Sequence, residues 1–177
     1  METTEKIVEA YVRYVKHWFS LPNIKCGNQK EIDLLALDPR RDISPARFHI
    51  ESGVSISSGF SRLTNEPFSL NDLRVRVKIP KQRRTLGYFT TCKFEDSNVI
   101  QKLGEFGFLP GNYAKVIVSW GWRDEVPKAA TELGIVLWDF RMIVREIMNS
   151  SKSTRTYFTD DTMRTLQLAA RAVATGC

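Results

Sequence analysis

Cysteine and histidine are scarce in this chain, with three of the first and two of the second among 177 residues. Cys26, Cys92 and Cys177 form no CxxC pair, which excludes a thiolate metal ribbon. An odd, scattered set also argues against a disulfide framework. Reduced thiols and a charged, acidic start from Met1 to Glu9 predict a cytosolic protein without a secretory signal. No apolar run approaches the roughly 18 residues that span a bilayer. Internal repeats, low-complexity tracts, a phosphate-cradling glycine loop and a dinucleotide fingerprint are all missing. Ser52, Ser55, Ser57 and Ser58 cluster, but without the histidine–acid pattern of a serine hydrolase.

What is present is a globular composition, 42% hydrophobic and 26% charged, with room for one domain and a sizeable core. The net charge is +6, from 26 basic and 20 acidic residues. Residues 1–59 carry eight of each sign and residues 94–177 carry ten of each. Residues 60–93 hold the other eight basic side chains against only Glu66 and Asp72, so the whole excess lies there. Within that segment Arg74-Val-Arg76-Val-Lys78 alternates with the period of a strand that has one basic face. Lys81, Arg83 and Arg84 follow, then Tyr88 and Phe89. Clustered cations beside aromatics suit a phosphate backbone with stacking platforms. The other reading is a solvated edge strand protected from aggregation by its charge.

Periodicity predicts a helix over 4–19, capped by Thr4 and ended by Pro22, with Ile7, Tyr11, Tyr14 and Trp18 on one face. Strands are expected over 24–26, 31–38 and 47–56, then a central one over 113–120 and a buried one over 135–140. Helices are expected over 98–106, 124–133 with Asp124 as cap, and 141–148 with Asp139 as cap. A linker at 150–153 would lead to a last helix over 160–174, capped by Thr159 or Asp160. The order predicts an α/β fold with a mixed central sheet. Residues 1–148 form the α/β domain with a basic insertion at 60–93, and 149–177 form a linker and C-terminal helix. Trp120 and Trp122 read as helix–sheet packing. His17 reads as a surface residue.

Two acids interrupt apolar strands: Asp33 between Ile32 and Leu34, and Glu51 after Ile50. Adjacent antiparallel strands would bring their side chains to about 5 Å. Carboxylates that close repel unless a cation bridges them. A hard ion such as Mg²⁺ takes few carboxylates, keeps waters and meets a substrate phosphate readily. Alternatively, both acids lie near strand ends and face solvent. His49 and Gly53 share the face of Glu51.

A helix bearing an acid, then Glu31-Ile-Asp-Leu-Leu35, then a strand with an acid, resembles the PD-(D/E)XK nuclease superfamily. That superfamily includes many restriction endonucleases and the archaeal Holliday-junction resolvases. Lys115-Val-Ile-Val-Ser119, Ala130-Thr-Glu-Leu-Gly134 and Ile135-Val-Leu-Trp138 follow its order, so the resemblance covers most of residues 4–148 outside the insertion. It implies a restriction-endonuclease-like core and DNA phosphodiester hydrolysis dependent on Mg²⁺ or Mn²⁺. Asp33 and Glu51 would hold the metal, with the Ser52 carbonyl completing the shell. Glu5 would be the helical acid, with Glu9 as its alternate. Arg74, Arg76, Lys78, Lys81, Arg83 and Arg84 would position DNA, the expected partner; no membrane is implied, and a homodimer is left open.

The pattern breaks at one place. The family lysine belongs two residues after Glu51, where this chain has Gly53, and no lysine occurs from Arg47 to Leu73. Lys30, Lys93 and Lys102 are the substitutes, although parity puts Lys30 on the strand face opposite Asp33. His49 or metal-bound water alone is a second solution. A third is a nucleic-acid-binding module that does not cut, and outside the resemblance stands an interaction protein with no nucleic acid at all.

Overall fold

Tyr113-Ala-Lys-Val-Ile-Val-Ser119 is rich in β-branched residues and buried through its second half, the signature of a parallel strand covered on both faces. In the computed structural model, which describes residues 2–40, 45–54, 60–153 and 158–174, this run is an interior strand, β4. The sheet has five strands in sequence order: β1 (Phe19–Lys25), β2 (Glu31–Leu37), β3 (Arg47–Ser52), β4 (Tyr113–Ser119) and β5 (Ile135–Asp139). β1, β2 and β3 pair antiparallel, whereas β3, β4 and β5 run parallel. Parallel neighbours need crossovers. The one from β3 to β4 contains α2 (Ile79–Gln82), α3 (Leu86–Phe89) and α4 (Ser97–Glu105). α5 (Val126–Glu132) lies between β4 and β5.

On one face α1 (Thr3–Ala10) with the turn Tyr11–Val15 that continues it, α6 (Phe140–Ser153) and α7 (Asp161–Ala174) pack Val8, Val12, Ile143, Ile147 and Met163 onto Leu34, Ile50, Val116 and Val118. On the other, Leu86, Phe89, Phe94 and Val126 cover Ile117 and Ile135. Val99 and Leu103 of α4 cover Ile32 and Leu35. The molecule is thus an α/β fold with a mixed sheet between helical layers. No helix among the described residues is long and apolar enough to cross a membrane.

Several expectations are corrected. The first helix continues as a wider, π-type turn to Val15 and stops at His17, whose φ of 59° is left-handed; Pro22 instead lies inside edge strand β1. Thr4 is not its cap but a buried residue of the first turn, and its hydroxyl donates to the Val54 carbonyl at 3.3 Å. β5 is an edge strand with Val136 exposed, not a buried one. Asp124 does not cap α5, which starts at Val126 after Glu125. Residues 150–153 extend α6, and Met163 of α7 belongs to the first core, so the C-terminal helix is part of the same body.

The largest correction concerns 74–78. This stretch is no strand: a single tight turn at Asp72–Arg74 runs into a bend and the short α2. Alternation makes a strand only where a neighbouring ladder accepts it. Here Pro80 sets the first turn of α2, and Lys78 pairs with Asp72 at 3.0 Å. Val75 and Val77 are left exposed. β3 ends at Ser52, and the expected continuation at 55–56, like Ser57, Ser58 and Cys177, lies outside the described residues.

Other expectations hold. Asp139 accepts the Arg141 N–H at 2.9 Å at the start of α6, and Asp160 accepts that of Met163 at 2.8 Å at the start of α7. Trp120 packs against Phe60 and Phe140, and Trp122 joins the second core. Cys26 and Cys92 are free thiols, and His17 is exposed.

Candidate active site

Leu34 pairs with Ile50 and Leu35 with His49, which carries Asp33 alongside Glu51. The Asp33 N–H lies 3.4 Å from Glu51 Oε1, and the Ser52 N–H donates to Asp33 Oδ2 at 2.8 Å. β2 changes face here: Ile32 and Leu35 join the core under α4, whereas Leu34 and Ala36 join the opposite one. On β1, Asn23 with a left-handed φ of 60° stands between the pairs Pro22–Leu34 and Ile24–Ile32. The acids therefore converge, with Glu51 wholly buried and Asp33 half-buried at the floor of a cleft.

The cation between them is Lys93. Its Nζ lies 3.1 Å from Asp33 Oδ1 and 2.5 Å from Glu51 Oε2, and donates to the Glu31 carbonyl at 3.3 Å. Two of the three ammonium protons are given to Asp33 and the Glu31 carbonyl, and Glu51 Oε2 lies against the same charge. The side chain is delivered by a π-type turn, Thr90–Phe94, that continues α3. Such turns are frequent at functional positions. Thr85, buried, fixes the start of α3 by accepting the Tyr88 N–H at 3.2 Å. Phe89 and Phe94, both buried, anchor the unit on either side of Lys93.

The same helical unit packs against Gly53. A β-carbon on Gly53 would stand 2.7 Å from Phe89 Cζ and 3.3 Å from its Cε2. The ring occupies the space into which a side chain at residue 53 would project. Phe89 is consequently a packing residue rather than a stacking platform, while Tyr88 lines the cleft above.

Burial and mutual repulsion set the charge states. Burial first, then the charge of Glu51, pushes the Asp33 carboxyl up to about 7, against the opposing pull of Lys93. Burial also raises Glu51, again opposed by Lys93. Burial alone would discharge Lys93, but the two carboxylates outweigh it and hold the ammonium above its ordinary range. His49 Nε2 lies 2.7 Å from Glu51 Oε1. Burial, then Lys93, drives the imidazole down to about 3, so it is neutral, and Nε2 shares a hydrogen bond with Glu51 Oε1. Its Nδ1 is buried without a hydrogen-bond partner among the described residues, as is the Ser52 hydroxyl.

The other candidates separate clearly. Glu5 lines the same cleft as Asp33, accepts the Glu2 N–H at 2.9 Å, and is raised by burial and in part by Asp33. Glu9 accepts the Ser20 hydroxyl at 3.2 Å and lies 3.7 Å from Arg13, away from the acids. Lys30 pairs with Asp96 at 3.0 Å and Lys102 with Glu105 at 2.6 Å, and neither is paired with Asp33 or Glu51. Arg83 and Arg84 border the cleft, about 360 Å³, that opens over Asp33, Ser52 and Lys93. Arg74, Arg76 and Lys78 do not line it, and Lys81 is turned to Glu66 at 2.8 Å. The partnership of His49 with Glu51 was suggested only by their shared strand face. Among the described residues, no group of three or more His, Cys, Asp and Glu side chains is arranged around a metal position.

No family model matches the chain, and no curated protein matches it either. Among solved structures, the crystal structure of a protein of unknown function, AF1548, is similar, with a TM-score of 0.45 and 12% identity over 99% of each chain.

Proposed function

We propose that this protein is a metal-dependent DNA phosphodiester hydrolase on a restriction-endonuclease-like core, in which Lys93 replaces the lysine absent at Gly53. The observation that carries this reading is the Lys93 ammonium held against both Asp33 and Glu51. The donor set fits a hard cation: two converging carboxylates, each held toward its neutral form by burial, call for positive charge that one ammonium supplies only in part. Asp33, Glu51 and the Ser52 carbonyl would hold Mg²⁺ or Mn²⁺. When bound, the ion would polarise the scissile phosphate and acidify a water.

The chain's own groups do the rest. Lys93 orients the attacking water and offsets charge growing on the phosphoryl oxygens. Neutral His49 fixes Glu51 through Nε2 and keeps its second oxygen toward Lys93. Arg83 and Arg84 grip the backbone at the cleft mouth, where guanidinium forks match phosphate. Tyr88 offers a ring beside them. The test is nicking of supercoiled DNA with Mn²⁺, which Asp33→Asn and Glu51→Gln should each abolish.

One observation favours a second reading. Lys93 occupies the space between the carboxylates and can serve simply to neutralise them, leaving a module that binds nucleic acid without cutting. Tight, Mn²⁺-independent DNA binding with no cleavage identifies that case.

A further inference from the structure

A second cleft, about 330 Å³ and basic, shares Arg84 with the first and is lined by Arg62, Thr64, Glu66, Lys81, Arg84 and Arg123. Its frame is stitched from three separate stretches of chain. The Leu63 N–H donates to the Gly121 carbonyl at 2.9 Å, and the Arg123 N–H to the Leu63 carbonyl at 3.0 Å. The Thr64 N–H donates to the Arg84 carbonyl and the Leu86 N–H to the Thr64 carbonyl, both at 2.9 Å. Leu63, Thr85 and Leu86 are buried beneath these bonds. The basic side chains therefore diverge from fixed backbone points.

Glu66 holds two of them, Lys81 at 2.8 Å and Arg123 at 3.5 Å. One carboxylate against four cations leaves three positive charges in excess. Arg62 and Arg84 meet no carboxylate among the described residues. Arg84 borders both clefts, so it joins this pocket to the cleft over Asp33. Three arginines with a hydroxyl among them favour phosphate, which accepts forked hydrogen bonds, over an isolated carboxylate.

We propose that this pocket is a phosphodiester subsite. It receives a backbone phosphate of the polynucleotide strand whose scissile bond lies at Asp33 and Glu51, with Arg84 touching both stretches. What occupies the first cleft rests on the nuclease reading; the phosphate affinity of the second does not.

The test is fluorescence anisotropy with a labelled single-stranded oligodeoxynucleotide in EDTA, over a salt series, for wild type, Arg62→Gln, Arg62→Lys and Arg62→Gln/Arg123→Gln. Arg62 is exposed, so its replacement leaves the frame intact, and a melting curve checks each variant. The double variant should bind more weakly, with the slope of log K against log salt lower by about 0.7 for each single-strand phosphate it no longer neutralises. Arg62→Lys should restore the slope in part. Unchanged affinity and slope overturn the subsite, as does a wild type that binds no oligonucleotide at low salt. It is also overturned if calorimetry finds Arg62-dependent binding of inorganic phosphate, or of a polyglutamate peptide, while the oligonucleotide is indifferent to these variants. Cleavage with Mn²⁺ separates the two claims. Absence of nicking with a changed slope removes the nuclease reading alone, and nicking with an unchanged slope removes the subsite alone.

Discussion

The ring of Phe89 fills the space that a side chain on Gly53 would need, at 2.7 Å from the position of its β-carbon. The same helical unit then presents Lys93 to Asp33 and Glu51. Placing a lysine at residue 53 should therefore not raise cleavage, since the ring must move first. Gly53→Lys and Gly53→Ala are expected to overpack a buried contact, at a cost of about 1–3 kcal/mol. Thermal unfolding measures it, and an unchanged midpoint would show that Phe89 yields freely.

Divalent binding should depend on both acids and on pH. Asp33→Asn and Glu51→Gln preserve shape but remove anionic oxygen, so calorimetry should find Mn²⁺ binding to wild type and none to either variant. Because the Asp33 carboxyl is pushed up to about 7, the ion must displace a proton near neutrality. Wild-type affinity should rise from pH 6 to pH 8, with proton release visible as a buffer-dependent heat. Affinity flat across that range counts against the raised carboxyl.

The same shift fixes a sign for stability without metal. In the unfolded chain Asp33 loses its proton near 3.8, and in the fold near 7. Between these values the folded state holds the extra proton, so this group's contribution is full below about pH 4 and is lost as pH rises through 7. Asp33→Asn has no such loss. In EDTA its melting midpoint should gain on wild type between pH 4 and pH 8, at about 2–4 °C per kcal/mol. A variant midpoint that falls relative to wild type over this range contradicts the assignment.

Arginines in the basic segment should differ in weight. Arg83 and Arg84 border the cleft, whereas Arg74 and Arg76 do not. Charge reversal at 83 and 84 should weaken DNA binding and flatten its salt dependence by about 0.9 per duplex phosphate left unneutralised, well beyond reversal at 74 and 76. Equal effects from both pairs would indicate a diffuse surface field in place of a cleft.

The sheet was legible because β4 holds the apolar, β-branched run Val116-Ile-Val118, and because Asp33 and Glu51 are acids inside apolar strands. Their partner was narrowed only to Lys30, Lys93 or Lys102, since Lys93 lies 60 residues beyond Asp33 and the packing of Phe89 and Phe94 aims it. Its one sequence signal is that it is the sole charge between Leu86 and Phe94. The alternation at Arg74–Lys78 misled because period says nothing about whether a ladder is there to pair with. Glu5 and Glu9 differ by one helical turn, and only the bond from Thr4 to Val54 tells which end of α1 meets the cleft.

The most direct measurement is the single-turnover rate of DNA cleavage in Mn²⁺ by wild type and Lys93→Met, with binding followed in parallel. The expected result is a rate lower by about 10²–10³ in the variant, at nearly unchanged DNA affinity, as for loss of one preorganised electrostatic group. Cleavage by Lys93→Met at the wild-type rate, or no cleavage by wild type with any divalent ion, contradicts a catalytic role for Lys93 at the Asp33–Glu51 pair.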